Sequence, residues 1–179
     1  MAADKEFIPT KDIALVTLNG ISIKTADEYE AEPEISEGEK TESVVNGELI
    51  ASDEAPTILK GYNLKFKDNA MRPKLMEVLQ GGKHTPGDGS STKQKYVGPN
   101  VGALKTVSIG EVSVYTKVYA VNGFTGEYIK TTYTDCIGDL VNFAFKGGEF
   151  FASEFTVKSR PPAGSPTYTW DLVDELPGE

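Results

Sequence analysis

One histidine, one cysteine and a Gly-Gly-Lys-His-Thr segment are the places where this chain could do chemistry. Relayed nucleophilic catalysis needs an imidazole held by a third group against its nucleophile. His84 is the only imidazole, and it sits among Gly82, Lys83, Thr85 and Pro86, residues of a loop that would hold a general base poorly. A structural zinc site needs several His or Cys ligands at fixed spacing, which one of each does not supply. Cys136 has no second thiol for a disulfide and reads as a small buried apolar side chain. A phosphate-binding loop needs a glycine separated by four residues from Gly-Lys and a Ser or Thr behind it. Those positions hold Glu77 and His84. Asp135 with Asp139, and Asp171 with Asp174 and Glu175, lack the alternating donors of a calcium loop and read as solvated surface. The expectation is a protein with no catalytic residues, no metal and no cofactor.

The elements that would have to position any site point the same way. The 179 residues, 39% apolar and 25% charged, suit one soluble domain over 1–179 with a single core. A net charge of −9 disfavours adhesion to nucleic acid, which depends on clustered Lys and Arg displacing counterions. Met1 to Lys5 is polar and precedes Phe7-Ile8-Pro9 without a signal-like apolar run, and no segment approaches the ~20 apolar residues of a membrane span. Synthesis and first folding in the cytoplasm, away from membranes, are expected.

Ile13–Leu18 and Ile21–Lys24 flank Asn19-Gly20, a hairpin signal. In Ile58–Asp68, Tyr62, Leu64 and Phe66 alternate with Asn63, Lys65 and Lys67, which predicts a half-buried strand. Next, Asn69 is expected to cap a short helix with Pro73 in its first turn, Leu75, Met76 and Leu79 as its buried stripe, and Gly81-Gly82 as its stop. Residues 83–100, rich in Gly, Ser, Thr, Lys and Pro, read as a long mobile loop. Strand-like runs follow at Leu104–Ile109, Glu111–Val121, Tyr128–Thr134, Leu140–Phe145 and Glu149–Ser159, separated by Gly-bearing turns, with a last one at Tyr168–Val173. Their aromatics, Tyr115, Tyr119, Tyr128, Tyr133, Phe143, Phe145, Phe150, Phe151 and Phe155, have the period of a core face. The predicted class is mainly β, a β-sandwich or split barrel with one short helix and long loops.

Charge is distributed unevenly. From Asp27 to Glu54 every charged residue except Lys40 is acidic, and Val44, Val45, Leu49 and Ile50 are the apolar footholds of this stretch. Lys60, Lys65, Lys67, Arg72, Lys74, Lys83, Lys93, Lys95 and Lys105 follow, opposed only by Asp68, Glu77 and Asp88. Two solvated faces would account for this, and so would opposite surfaces that meet between subunits.

Asp53-Glu-Ala-Pro-Thr-Ile-Leu-Lys-Gly-Tyr-Asn-Leu-Lys-Phe-Lys-Asp-Asn69, Pro73-Lys-Leu-Met-Glu-Val-Leu-Gln-Gly-Gly82, Pro161-Pro-Ala-Gly-Ser-Pro166 and Asp174-Glu-Leu-Pro177 occur in this order over most of the chain. In them the sequence resembles the major tail tube proteins of long-tailed phages of Gram-positive hosts. The resemblance implies a β-sandwich or split barrel whose six copies close into a ring around a DNA channel, with rings stacking into a tube. It implies a virion location after assembly in the host cytoplasm, other tail proteins at the tube ends, and DNA passing without specific binding. It also implies that residues about 25–56 form an arm reaching an adjacent ring. On that basis Glu32, Glu34, Glu37, Glu39, Val44, Val45, Leu49 and Ile50 of the arm, and Lys65, Lys67 and Lys74 of a neighbour, are the expected interface. The alternatives are the inner tube of a contractile tail or phage-like bacteriocin, and a non-catalytic β-sandwich adhesion or binding module.

Overall fold

The computed structural model describes residues 8–89, 93–102, 107–145, 147–148 and 152–178. Met1 to Lys5, Phe7, Lys105, Phe150 and Phe151, the 104–106 part of one expected strand and the 149–151 part of another lie outside them. The elements are β1 (Thr10–Leu18), β2 (Ile21–Ile23), β3 (Ala26–Ser36), β4 (Lys40–Val45), β5 (Glu48–Glu54), β6 (Ile58–Asp68), α1 (Pro73–Gln80), β7 (Lys83–Thr85), β8 (Lys95–Val97), β9 (Val107–Ala120), β10 (Gly123–Gly138), β11 (Asn142–Ala144), β12 (Ala152–Ser159) and β13 (Thr169–Val173). The protein is mainly β with one short helix, and its principal sheet curls into a half-barrel.

That sheet runs β2-β1-β9-β10-β12-β6-β3, with β11 added to β12 and β13 added to β10. Asn19 and Gly20 both take positive φ, 44° and 75°, as a two-residue hairpin turn requires, and set Leu18 opposite Ile21. Along β6 the expected alternation holds: Leu64 and Phe66 are buried while Lys65 is exposed. They meet Val157 and Phe155 across β12, and Val16, Leu18, Ile23, Val112, Val114 and Tyr133 complete the inside of the curl. Phe66 stacks on Tyr29 from one side and Phe155 from the other, with ring centroids 5.3 and 5.1 Å apart.

Helix α1 packs against β9 and β10 of the sheet. Leu75 and Leu79 enter the core, Pro73 occupies the first turn, and the Gly81 N–H ends the helix on the Glu77 carbonyl at 3.0 Å. Gly138 lets the helix backbone seat on the sheet, since a Cβ there would lie 2.1 Å from the Leu79 carbonyl oxygen. Asn69, expected from sequence to cap the helix, does not do so. The N-cap is Arg72, without a side-chain cap bond. The polar anchor is its neighbour Asp68, whose fully buried carboxylate accepts from the Thr25 hydroxyl, from Arg72 Nε at 3.1 Å and from the Ala70 N–H at 3.2 Å.

Three further expectations are corrected. Residues 83–100 are not all loop: β7 and β8 form a ladder pairing His84 with Tyr96, tied down where the Tyr96 hydroxyl donates to the Gly81 carbonyl at 2.6 Å. Gly110 does not divide two strands, because it sits as a bulge with φ 80° inside β9 and the ladder continues past it. Phe143 and Phe145 are not core residues but are 46% and 74% exposed, since β11 lies at the margin of the sheet.

Candidate self-assembly surfaces

Cys136 is buried and free, and burial pushes its thiol up to about 12, which suits packing and not nucleophilic attack. His84 lies on the short strand β7, with its Nε2 buried and unbonded. Asp139 engages Lys158 at 2.7 Å. Among the described residues no group of His, Cys, Asp and Glu could hold a metal ion, and no helix is long and apolar enough to cross a membrane.

The acidic stretch divides in two. Its first part, β3, is a strand of the main sheet hydrogen-bonded to β6 in antiparallel register, with Glu28 opposite Lys67 and Glu30 opposite Lys65. Tyr29 and Ala31 turn toward the core, and the glutamates turn outward onto the lysines of β6. Lys65 bonds Glu32 at 2.7 Å and lies 3.6 Å from Glu30, and Lys67 bonds Glu28 at 2.9 Å. The hydrogen bond to Glu32 raises the Lys65 pKa, as that to Glu28 raises the Lys67 pKa. Glu34 pairs with Arg160, which also donates to Asn63 Oδ1 at 3.0 Å and to the Ser159 carbonyl at 2.7 Å. An open groove of about 740 Å³ runs over this face, its walls carrying Lys65 and Lys67 against Glu28, Glu30 and Glu154. Of the residues expected between copies, Glu32, Glu34, Lys65 and Lys67 have ion-pair partners within the chain, Lys65 with Glu30 and Glu32, Lys67 with Glu28 and Glu34 with Arg160.

The second part is a separate two-stranded sheet, β4–β5, that pairs with no other strand among the described residues. Asn46 and Gly47, with φ 53° and 84°, make its turn. Every residue from Lys40 to Glu54 is exposed, including Val44 (59%), Val45 (53%), Leu49 (57%) and Ile50 (63%). Val44 and Leu49 face each other across the ladder. Glu37 and Glu39 are exposed at the root, where the Ala55 N–H donates to the Glu39 carbonyl at 3.2 Å. Lys74 lies on α1, beyond the other end of β6.

Strands β2, β3 and β13 each have one ladder partner among the described residues, so each presents an unpaired edge. Strand β10 forks: Tyr128–Thr132 pairs with β13, and Cys136–Gly138 pairs with β12. The rings of Tyr62, Tyr133 and Tyr168 meet at the fork, with centroids 5.6 to 5.9 Å apart. Below them the Tyr29 and Tyr133 hydroxyls are 2.6 Å apart, and burial pushes both phenols upward. Tyr168, Trp170 and Leu172 are 44–55% exposed. The strand expected at Tyr168–Val173 is present as β13, but its exposed face and the pairing of Arg160 with Glu34 were not among the expected site features, although the alternate spacing of 168, 170 and 172 is a signal for one face of a strand.

No protein-family model matches this chain, and no curated protein matches it.

Proposed function

We propose that this protein is a structural virion subunit that polymerises as stacked, hexameric rings into the tail tube of a long-tailed bacteriophage, through which DNA passes. The carrying observation is the β4–β5 hairpin, a two-stranded sheet with four apolar side chains in water. A lone hairpin of this kind is marginal by itself, and burying those side chains against another copy would stabilise it. The open edges of β2, β3 and β13 support the same reading, because pairing around a closed ring removes edges that threaten uncontrolled aggregation. A head-to-tail contact that closes gives a ring, and one that does not close propagates a tube. The net charge of −9 suits a channel that DNA traverses without sticking. The assembly needs neither cofactor nor catalysis, and its further partners are the proteins at the tube ends.

Negative-stain imaging of concentrated purified protein tests this proposal. Rings or hollow rods are the expected result, and a monomer persisting at every concentration and salt tested would overturn it. A second reading, a glycan-binding or adhesion module, draws on the exposed Tyr168 and Trp170 of the β13 strip. Glycan capture abolished by Trp170→Ala, with no self-association, would favour it.

A further inference from the structure

Asn-Gly occurs three times in the chain, at 19–20, 46–47 and 122–123, each time behind a bulky aliphatic residue, Leu18, Val45 and Val121. Glycine puts no Cβ between its backbone nitrogen and the side-chain carbonyl of the asparagine before it, so this pair cyclises more readily than others. With the flanking residues so alike, the three pairs have nearly the same intrinsic reactivity, and the structure around each is what separates them. All three asparagines are exposed and lie in hairpin turns.

Those turns are held to different degrees. Asn19 joins β1 to β2, whose Leu18 and Ile23 are fully buried in the core. Asn122 joins β9 to β10 in the main sheet. There the packed rings of Tyr119, Phe124 and Tyr128 tie the end of the ladder, and the Thr125 hydroxyl donates to the Val118 carbonyl at 3.1 Å. Asn46 joins β4 to β5, which pair only with each other among the described residues and have every residue exposed. A turn held by its ladder has little freedom to bring the glycine nitrogen onto the asparagine side chain, so the rate follows how often the turn opens. A lone two-stranded ladder opens often, whereas turns anchored in a packed sheet open far less.

We infer that Asn46 is a spontaneous modification site, deamidating in preference to Asn19 and Asn122, and that the change undoes the β4–β5 turn. The Gly47 backbone nitrogen attacks Asn46 Cγ. A Cγ–N bond forms, the Cγ–Nδ2 bond breaks, and ammonia leaves with the proton from Gly47. Water then opens the succinimide at one of its two carbonyls and gives aspartate or isoaspartate. Either product adds a carboxylate to the stretch from Asp27 to Glu54, where Lys40 is the only cation. Isoaspartate also lengthens the backbone by one carbon, so the two-residue loop no longer sets Val45 opposite Glu48. This inference goes beyond the polymerisation reading and does not rest on it, because it concerns the free chain.

The test ages dilute protein in warm, mildly alkaline buffer and follows the amide-to-acid mass change at each of the three sites by peptide mass spectrometry. Conversion at Asn46 is expected to be about tenfold or more faster than at Asn19 or Asn122, and the three rates to converge to within about threefold in urea, where the turns are gone. Equal rates in the folded protein overturn the preference. A preference undiminished in urea overturns its structural cause. Nuclear Overhauser contacts between Val45 and Glu48 read the second step. They are expected in fresh protein and in Asn46→Asp, which adds the charge without the extra carbon and tolerates the same backbone, and they are expected to be lost from the isoaspartate form. Absence of those contacts from fresh protein, or their survival in the isoaspartate form, overturns the undoing of the turn. Neither readout involves assembly, so a failure of polymerisation leaves this inference standing.

Discussion

Strand β3 and the β4–β5 hairpin come from one acidic stretch of chain, yet one is part of the sheet and the other stands outside it. The difference lies in what each finds opposite. Beside β3 is β6, whose Lys65 and Lys67 answer its glutamates and whose Leu64 and Phe66 extend the apolar face of Tyr29 and Ala31. Beside β4 among the described residues there is only β5, with Leu49 opposite Val44 and both exposed. Acidity does not set the fate of a segment; the availability of a complementary surface does. For the hairpin we propose that another copy supplies that surface.

Substitutions should separate the two regions. The largest expected effect is at Phe66, stacked between Tyr29 and Phe155: Phe66→Ala is expected to cost about 3–5 kcal/mol by denaturant unfolding. Leu49→Ser, on the exposed hairpin, should leave monomer stability within about 0.5 kcal/mol while raising the concentration needed for assembly. A large loss of monomer stability from Leu49→Ser would erase the contrast. Next is Asp68→Ala, which strips the buried acceptor from Thr25, Arg72 and the Ala70 N–H and is expected to cost about 1–3 kcal/mol.

A smaller effect lies in alkaline pH. The Cys136 thiol is raised by burial from 9.0 to about 12, so the stability from keeping it neutral is complete below pH 9 and is lost as pH rises toward 12. Thiolate absorbance should therefore appear in the folded protein only far above pH 9, and near pH 9 after denaturation. A folded-state thiolate at pH 9 would contradict this. The smallest effect is expected at the exposed Lys65: Lys65→Ala should leave the unfolding midpoint unchanged at moderate salt, because solvent screens its pairs with Glu30 and Glu32.

Much of this architecture is legible from local signals. Asn19-Gly20, the alternation of β6 and the Leu75, Met76, Leu79 stripe of α1 each act over a few residues, and the structure bears them out. Asn46-Gly47 between Val44-Val45 and Leu49-Ile50 is the same turn signal as Asn19-Gly20, set within an acidic stretch. What is not legible is pairing across long separations. Nothing local says that Glu34 meets Arg160, that Thr25 and Arg72 converge on Asp68, or that residues 83–85 return to pair with 95–97. Of the candidate interface, Glu32, Glu34, Lys65 and Lys67 have ion-pair partners inside the chain, which no local signal gives, and Val44, Val45, Leu49 and Ile50 are exposed.

Hydrogen exchange at two protein concentrations tests the central claim most directly, because it reads amide protection in both regions at once. In dilute monomer, the amides of β6 and its partners β3 and β12 should be protected while those of residues 40–54 exchange fast. At assembling concentration, residues 40–54 should gain protection. Hairpin amides already as protected as β6 in the monomer, or no slower in assembled protein, would contradict the claim that a second copy completes this part of the fold.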